Sequence, residues 1–413
     1  MSGFSQFLWR SFWIWKLALR SLLRQPRRTA AVLLTVGTGT ASLFLFQGFN
    51  TSIMNSYREN SIHARYGHGQ LHTLGYRDSV YEKPWEHWIE NSDQIRAELL
   101  KMPEVKQVFP RIEFFALLTN GQVNVSGRGT GIDGKEEATF FTTMNVVEGK
   151  MLSDEPDGVL IGRGLANALN LKPGDRLTVL ANTIHGSLNG VDLNVTGIFH
   201  TGSKEFDDVA FRIPLDQAKK LLDTDKVESI ALGLARDEDW ASFSAGSAIK
   251  FPQLSATSFA VLDKIYYQHS IDWLKSQFGV IRLIILAVVV LGIFNVVATS
   301  IFERKAEIGN LRANGDSKWD VLFLLLSEGA AVGLIGALTG IVAAVVLNST
   351  LLAKGILMPP APGLTRTFHI PIVLDFSTAF LTFCLGGISC LFATVLSAWR
   401  VVGLAIGNAL RST

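Results

Sequence analysis

The chain has 413 residues, of which 48% are hydrophobic and only 18% charged, a balance that argues against an ordinary soluble protein. Its formal net charge of +2 is uninformative as a total, but the distribution is not. Two cysteines, Cys384 and Cys390, fall inside one apolar run and read as small packing residues rather than a disulfide.

Residues 1–28 carry Arg10, Lys16, Arg20, Arg24, Arg27 and Arg28 without any Asp or Glu, and Trp9, Trp13 and Trp15 stand beside those cations. This is the composition of a helix lying in a membrane interface, with an elbow expected at Pro26. Four uncharged apolar runs follow, each close to the roughly 20 residues needed to cross a bilayer. They are 29–49, 283–301, 329–352 and 376–399. The basic start predicts a cytoplasmic N-terminus, which places 50–282 and the loop 353–375 outside. The segment 302–328 and the tail 400–413, with Arg400 and Arg411, are then cytoplasmic.

Residues 50–255 read as a mixed α+β domain inserted between the first and second spans. Helical patterns occupy 92–101, 162–170 and 214–222. Strand patterns occupy 122–132, 176–181, 191–199, 209–213 and 227–234, with turn signals at Pro173-Gly174-Asp175 and Asn189-Gly190. From Ser255 the spacing of Phe259, Leu262, Tyr266, His269, Trp273 and Phe278 predicts a stalk helix over 256–282 that runs into the second span.

The segment between spans two and three, FERKAEIGNLRANGDSKWD, gathers Glu303, Arg304, Lys305, Glu307, Arg312, Lys318 and Asp320. Its spacing predicts an amphipathic helix over 306–313, with Ile308 and Leu311 on one side and Asn314-Gly315 as the stop. A short helix there is placed to touch a soluble partner. In the third span, Gly329, Gly333, Gly336 and Gly340 form small-xxx-small repeats that predict a packing face. Asn295, a polar side chain at the middle of the second span, predicts an inter-helical hydrogen bond. Glu328 is expected to meet a cation or cap a helix.

Several chemistries are missing from the sequence. It has no G-x-x-x-x-G-K-[ST], G-x-S-x-G, H-E-x-x-H or C-x-x-C motif. His63, His68 and His72 have some appeal as metal ligands, but Gly67 and Gly69 oppose the helix that His68 and His72 would need, and no metal is expected. No basic-aromatic patch points to nucleic acid. An intramembrane enzyme would require an acid or base beside Asn295, Thr299 and Ser300, and none is there.

Three stretches together resemble the permeases of the MacB/FtsX/LolC-LolE type, the type VII ABC transporters. KLALRSLLRQPRRTAAVLLTVGTGTAS is similar to that family's basic elbow and first span. Residues Glu303, Arg304, Glu307, Ile308, Gly309, Leu311, Arg312, Ala313 and Gly315 match its coupling pattern E-R-x-x-E-I-G-x-L-R-A-x-G. GVLIGRGLANALNLKPGDRLTVLANTIHGSLNGVDLNVTGIFHTG and PLDQAKKLL resemble its periplasmic core. The resemblance implies a non-catalytic inner-membrane subunit that pairs with a second permease chain, as a homo- or heterodimer. ATP and Mg would be bound by a separate cytoplasmic ABC ATPase docked on Glu303, Arg304, Glu307, Ile308, Gly309, Leu311, Arg312 and Gly315. The topology favours a lipoprotein-releasing permease in contact with membrane lipids, a lipoprotein substrate and a periplasmic carrier or adaptor, with His185–Asn189 as the candidate hook for the carrier. A MacB-like exporter of peptides or drugs and an FtsX-like transmitter that activates a periplasmic enzyme stay open as alternatives.

Overall fold

The computed structural model describes residues 26–79, 83–142, 144–153, 155–201, 204–264, 268–359 and 367–403. The interfacial helix expected over 1–28 lies, apart from 26–28, outside the described residues, as does the tail beyond 403.

Among the described residues, four helices are long and apolar enough to cross a membrane. They are α1 (Pro26–Ser61), α2 (His269–Glu303), α4 (Lys318–Thr350) and α5 (Phe376–Val402), with the short α3 (Lys305–Ala313) between α2 and α4. Their ends follow local chemistry. Pro26 is the first described residue of α1. Ser317 Oγ accepts the Asp320 amide and donates to the Asp320 carboxylate, a side-chain N-cap that starts α4. Asp375 accepts the Thr378 amide at the start of α5.

The chain divides into two units, one of residues 1–54, 273–357 and 369–413, the other of 55–272 and 358–368. In the first unit the four long helices and α3 share an apolar core that includes Val32, Val36, Ile293, Val297, Ile308, Leu325, Val332, Cys390 and Val401. The glycines of α4 divide their work between two neighbours. A Cβ at Gly329 would lie 2.3 Å from Thr394 Oγ1, and one at Gly333 would lie 2.9 Å from the Cys390 Cβ, both on α5. A Cβ at Gly336 would lie 2.8 Å from Val36, and one at Gly340 would lie 2.4 Å from the Gly37 carbonyl oxygen, both on α1. These spacings let backbones approach more closely than any side chain allows.

The second unit is built on a ten-stranded sheet. Its strands are β1 (Gly69–Thr73), β2 (Val105–Thr119), β3 (Asn124–Ile132), β4 (Asn145–Gly149), β5 (Gly158–Gly162), β6 (Arg176–Asn182), β7 (Leu188–His200), β8 (Ala210–Pro214), β9 (Ser229–Leu234) and β10 (Leu254–Ser258). The order is β10-β1-β9-β2-β3-β8-β5-β7-β4, and β6 pairs with β2 and β7. The expected helices are found at Ser92–Leu99, Arg163–Leu169 and Leu215–Leu222. Two further helices, Gly134–Phe140 and Trp240–Lys250, have no counterpart in the sequence reading. Leu71, Val108, Leu118, Val159, Leu177, Phe211, Leu232 and Phe243 belong to the main core.

Three expectations are corrected here. The stalk helix does not begin at 256, because Ser255–Ser258 pair with Gly69–His72 as the strand β10; a short helix covers Phe259–Leu262, and α2 is described from His269. An edge strand's unmet N–H and C=O groups outweighed the helical spacing. The hairpin between β6 and β7 turns at Thr183–Ser187 rather than at Asn189-Gly190. Gly186 adopts φ +84° there and Thr183 N–H donates to the Ser187 carbonyl, while Asn189 pairs with Ala181 inside the ladder. Asn295 is exposed on the outward side of α2, on the same stripe as Val288 and Leu291, and so does not lie between helices of this chain.

Candidate functional site

The charged segment between α2 and α4 folds as a tethered short helix. Arg304 breaks the helical path (φ −97°, ψ 16°), which separates α2 from α3, and Gly315 (φ +103°) ends the turn after Asn314. The αL-side conformation at Gly315 carries a steric cost for any residue with a Cβ. Ile308 and Gly309 are buried and Leu311 packs against the core, whereas Ala306, Glu307, Asn310, Ala313 and Asn314 are exposed. The helix therefore has one face held by the membrane unit and one face open.

Polar contacts among the described residues hold it. Arg304 Nη1 donates to Glu328 Oε2 on α4 at 2.6 Å and Arg304 Nε donates to Glu307 Oε2 at 2.7 Å. Burial alone would lower the Arg304 pKa, but Glu328 and Glu307 outweigh it and hold the guanidinium above its ordinary value. Arg312 Nη1 donates to the Val402 carbonyl at the end of α5 at 2.8 Å, where a cation also meets the negative end of the helix dipole. Arg28 Nε pairs with Glu303 Oε2 at 2.8 Å, which joins the start of α1 to the end of α2. A small cavity of about 70 Å³ sits beside these groups, lined by Arg28, Arg304, Glu328, Gly329, Cys390 and Thr394 among others.

The expected coupling residues Glu303, Arg304, Glu307, Ile308, Gly309, Leu311, Arg312 and Gly315 thus lie together, but in two roles. Ile308, Gly309, Leu311, Arg304 and Arg312 face or anchor to the helices. Glu303 and Glu307 are exposed, and Gly315 ends the segment. Sequence reasoning missed Arg28 and the Val402 carbonyl as partners, since both contacts are remote in sequence. It matched Ala313 to the coupling pattern but did not place it among the docking residues, and it passed over Ala306, which shares a face with Ala313 at a spacing of seven.

In the inserted unit His63 and His68 meet edge to face at 6.5 Å and both pack on Phe140, whereas His72 lies against Tyr76. His63 Nδ1 meets the Phe140 carbonyl at 2.8 Å. His68 Nδ1 accepts the Leu234 amide and its Nε2 lies 2.9 Å from Asp237, while burial keeps its pKa below the ordinary value. His72 stacks on Tyr76 and is pushed down to about 4 by burial and by Arg77. Among the described residues no group of three or more His, Cys, Asp or Glu is arranged to hold a metal.

Residues 29–246 match the family model of the MacB-like periplasmic core domain, and residues 279–406 match that of the FtsX-like permease C-terminal. The lipoprotein-releasing system transmembrane protein LolC of Xylella fastidiosa (strain 9a5c) is 23% identical over 355 residues, covering 79% of this chain and 81% of that protein. LolE of Haemophilus influenzae is 21% identical over 281 residues, covering 65% and 66%. The periplasmic region of MacB from Actinobacillus actinomycetemcomitans superimposes loosely, with a TM-score of 0.36 at 14% identity over 48% of this chain and 91% of that one.

Proposed function

This chain belongs to the MacB/FtsX-type ABC transporter permeases, and from that premise we propose that it is the membrane subunit of an ATP-driven complex extracting lipoproteins or similar lipid-like substrates from the inner membrane. The observation that supports the reading most directly is the tethered helix α3. Its open face, Ala306, Glu307, Asn310 and Ala313, is the docking surface for a separate ATPase, which would hold the ATP and Mg for which this chain has no phosphate loop. Its closed face is bonded to α4 through Arg304–Glu328 and to α5 through Arg312–Val402, so a displacement of α3 is felt by both helices. That arrangement suits transmission of force better than formation of a pore. The lipoprotein assignment leans on the LolC and LolE relatives and on the four-span layout.

The test is to co-express the chain with its ATPase and replace Ala306 and Ala313 together by Arg. Both side chains are exposed, so the bundle should fold while the docking face is blocked. Loss of ATPase co-purification, with unchanged expression of the permease, is expected. Undiminished co-purification and turnover would remove α3 as the docking site. Release of an acylated lipoprotein from proteoliposomes tests the substrate. Export of a peptide or drug that depends on an adaptor, with no lipoprotein release, would favour the MacB-like reading that the periplasmic-core match also accommodates.

A further inference from the structure

The inserted unit contains a second charged cluster that the coupling reading does not use. It surrounds a cavity of about 350 Å³. The floor follows from strand register. Thr130 on β3 stands opposite Glu113 on β2 and Arg212 on β8, while Arg111 and Arg128 lie two residues before Glu113 and Thr130. Side chains two apart on a strand share a face, so Arg111, Glu113, Arg128, Thr130 and Arg212 are brought to one side of the sheet. The turn Ile62–Tyr66 supplies Arg65 and Tyr66, and Phe206 completes an aromatic edge.

The charges there do not balance. Glu137, fully buried, receives Arg111 on both oxygens and Arg212 Nη1 at 3.1 Å. Glu113 receives Arg128 and lies 3.8 Å from Arg65 Nη2. Four guanidiniums therefore share two carboxylates. The other acids of the lining are Asp263, engaged by Ser61 Oγ at 2.5 Å, and Glu205, which is exposed and screened by water. Glu228 lies outside the lining, bonded by Tyr76 and by the Glu113 amide, and burial together with the charge of Glu113 pushes it up to about 7. With Glu205 screened and Glu228 protonated below that pH, four positive charges face three negative ones. Arg212 itself is buried. Burial pushes it down to about 10, an effect that Glu137 offsets in part and Arg111 reinforces.

We propose that this cavity binds a single oxyanion of charge −1, a phosphodiester or a carboxylate, between Arg65 and Arg128. Arg65 is suited to the role. Its guanidinium centre lies 5.0 Å from the Tyr66 ring and 5.7 Å from the Phe206 ring, and its pairing with Glu113 is loose. Ring contact orients a guanidinium while leaving its N–H edge for bidentate bonding to an oxyanion. Arg111 and Arg212 are committed to Glu137 and to the carbonyls of Arg65 and Ala64, so they fix the position of Arg65 rather than serve as the contact. A ligand of this chemistry has two sources, a lipid headgroup or a soluble metabolite.

The test uses the full chain in detergent at pH 6.5, titrated calorimetrically with dimethyl phosphate and with acetate at constant ionic strength. At least one of the two is expected to bind saturably, with affinity lowered at least tenfold in Arg65→Gln and in Arg128→Gln and partly restored in Arg65→Lys. Unfolding curves verify that each variant folds, and the exposed Lys83→Gln serves as a control expected to bind as the parent does. Repeating the titration in phospholipid nanodiscs identifies the source. Binding lost there supports the site with a lipid headgroup already seated, and binding retained supports it with a soluble ligand. Absence of saturable binding in detergent, or equal affinity in folded Arg65→Gln and Arg128→Gln, overturns the proposal.

Discussion

Arg304 has two carboxylate partners, and the structure assigns them unequal weight. Glu307 is half exposed, so its pair with Arg304 is solvated and worth about 0–1 kcal/mol. Glu328 is 8% exposed and accepts at 2.6 Å. A charge-assisted hydrogen bond in such a setting contributes about 1.5–3 kcal/mol, and removing the cation also leaves the carboxylate desolvated. Arg304→Gln should therefore destabilise the full chain by about 2–3 kcal/mol, Glu328→Gln by about 1–2 kcal/mol and Glu307→Gln by less than about 0.5 kcal/mol. The double variant Arg304→Gln/Glu328→Gln should be less damaging than the sum of its parts by about 1–2 kcal/mol. The assay is reversible unfolding of the full chain in mixed micelles, read by tryptophan fluorescence, with ATP turnover of the assembled complex measured in parallel. If the 304–328 coupling energy is below about 0.5 kcal/mol, or if Glu307→Gln is as harmful as Glu328→Gln, the tether between α3 and α4 is not what holds the short helix.

Three further outcomes are expected. Gly340→Ala places a Cβ 2.4 Å from the backbone oxygen of Gly37, which cannot rotate away, and should cost about 1–3 kcal/mol in the same unfolding assay; Gly279→Ala, with open space around it, should cost far less. Asn295 is polar on an outward apolar stripe and needs a partner within a bilayer, so Asn295→Leu should weaken association with a second permease chain, measured by energy transfer between labelled chains in liposomes; an unchanged association constant would show that the residue is not at that contact. Glu228 is held near 7 against an ordinary 4.5, so between those values the folded chain retains a proton that the unfolded chain has lost and stability falls as pH rises. His72, held near 4 against an ordinary 6.5, acts oppositely, because the unfolded chain gains a proton below 6.5 and stability falls as pH drops toward 4. Glu228→Gln should abolish the first slope and leave the second, raising stability at pH 8 by up to about 3 kcal/mol relative to the parent; a parallel pH profile would remove Glu228 as the titrating group.

The legible parts of this protein were those written in local chemistry. Four uncharged runs announce four long helices because a bilayer demands length and apolarity within one segment. The turn at 173–175 and the stop at Asn314-Gly315 are legible because they rest on a few adjacent residues. β6 and β7 were found because one face is wet and their side chains alternate. β2, the longest strand, was passed over since Val108–Ile112 are buried without alternation and include Pro110 and Arg111. β5 and β9 are likewise buried at every position, though the apolar run of β9 was still noticed.

What only the tertiary structure decided is which charges meet. ERKAEIGNLRANG marked the segment proposed for coupling by pattern, but nothing in it says that Arg304 reaches Glu328, that Arg312 reaches the end of α5 at Val402, or that Arg28 reaches Glu303. In the same way Arg111, Arg128 and Arg212 are three isolated cations in three strands until the register places them on one face around Glu113 and Glu137. The signal was there in principle, as charged residues inside apolar strand runs. Recognising it required the pairing of β2, β3 and β8, and pairing depends on contacts remote in sequence, which no local pattern encodes.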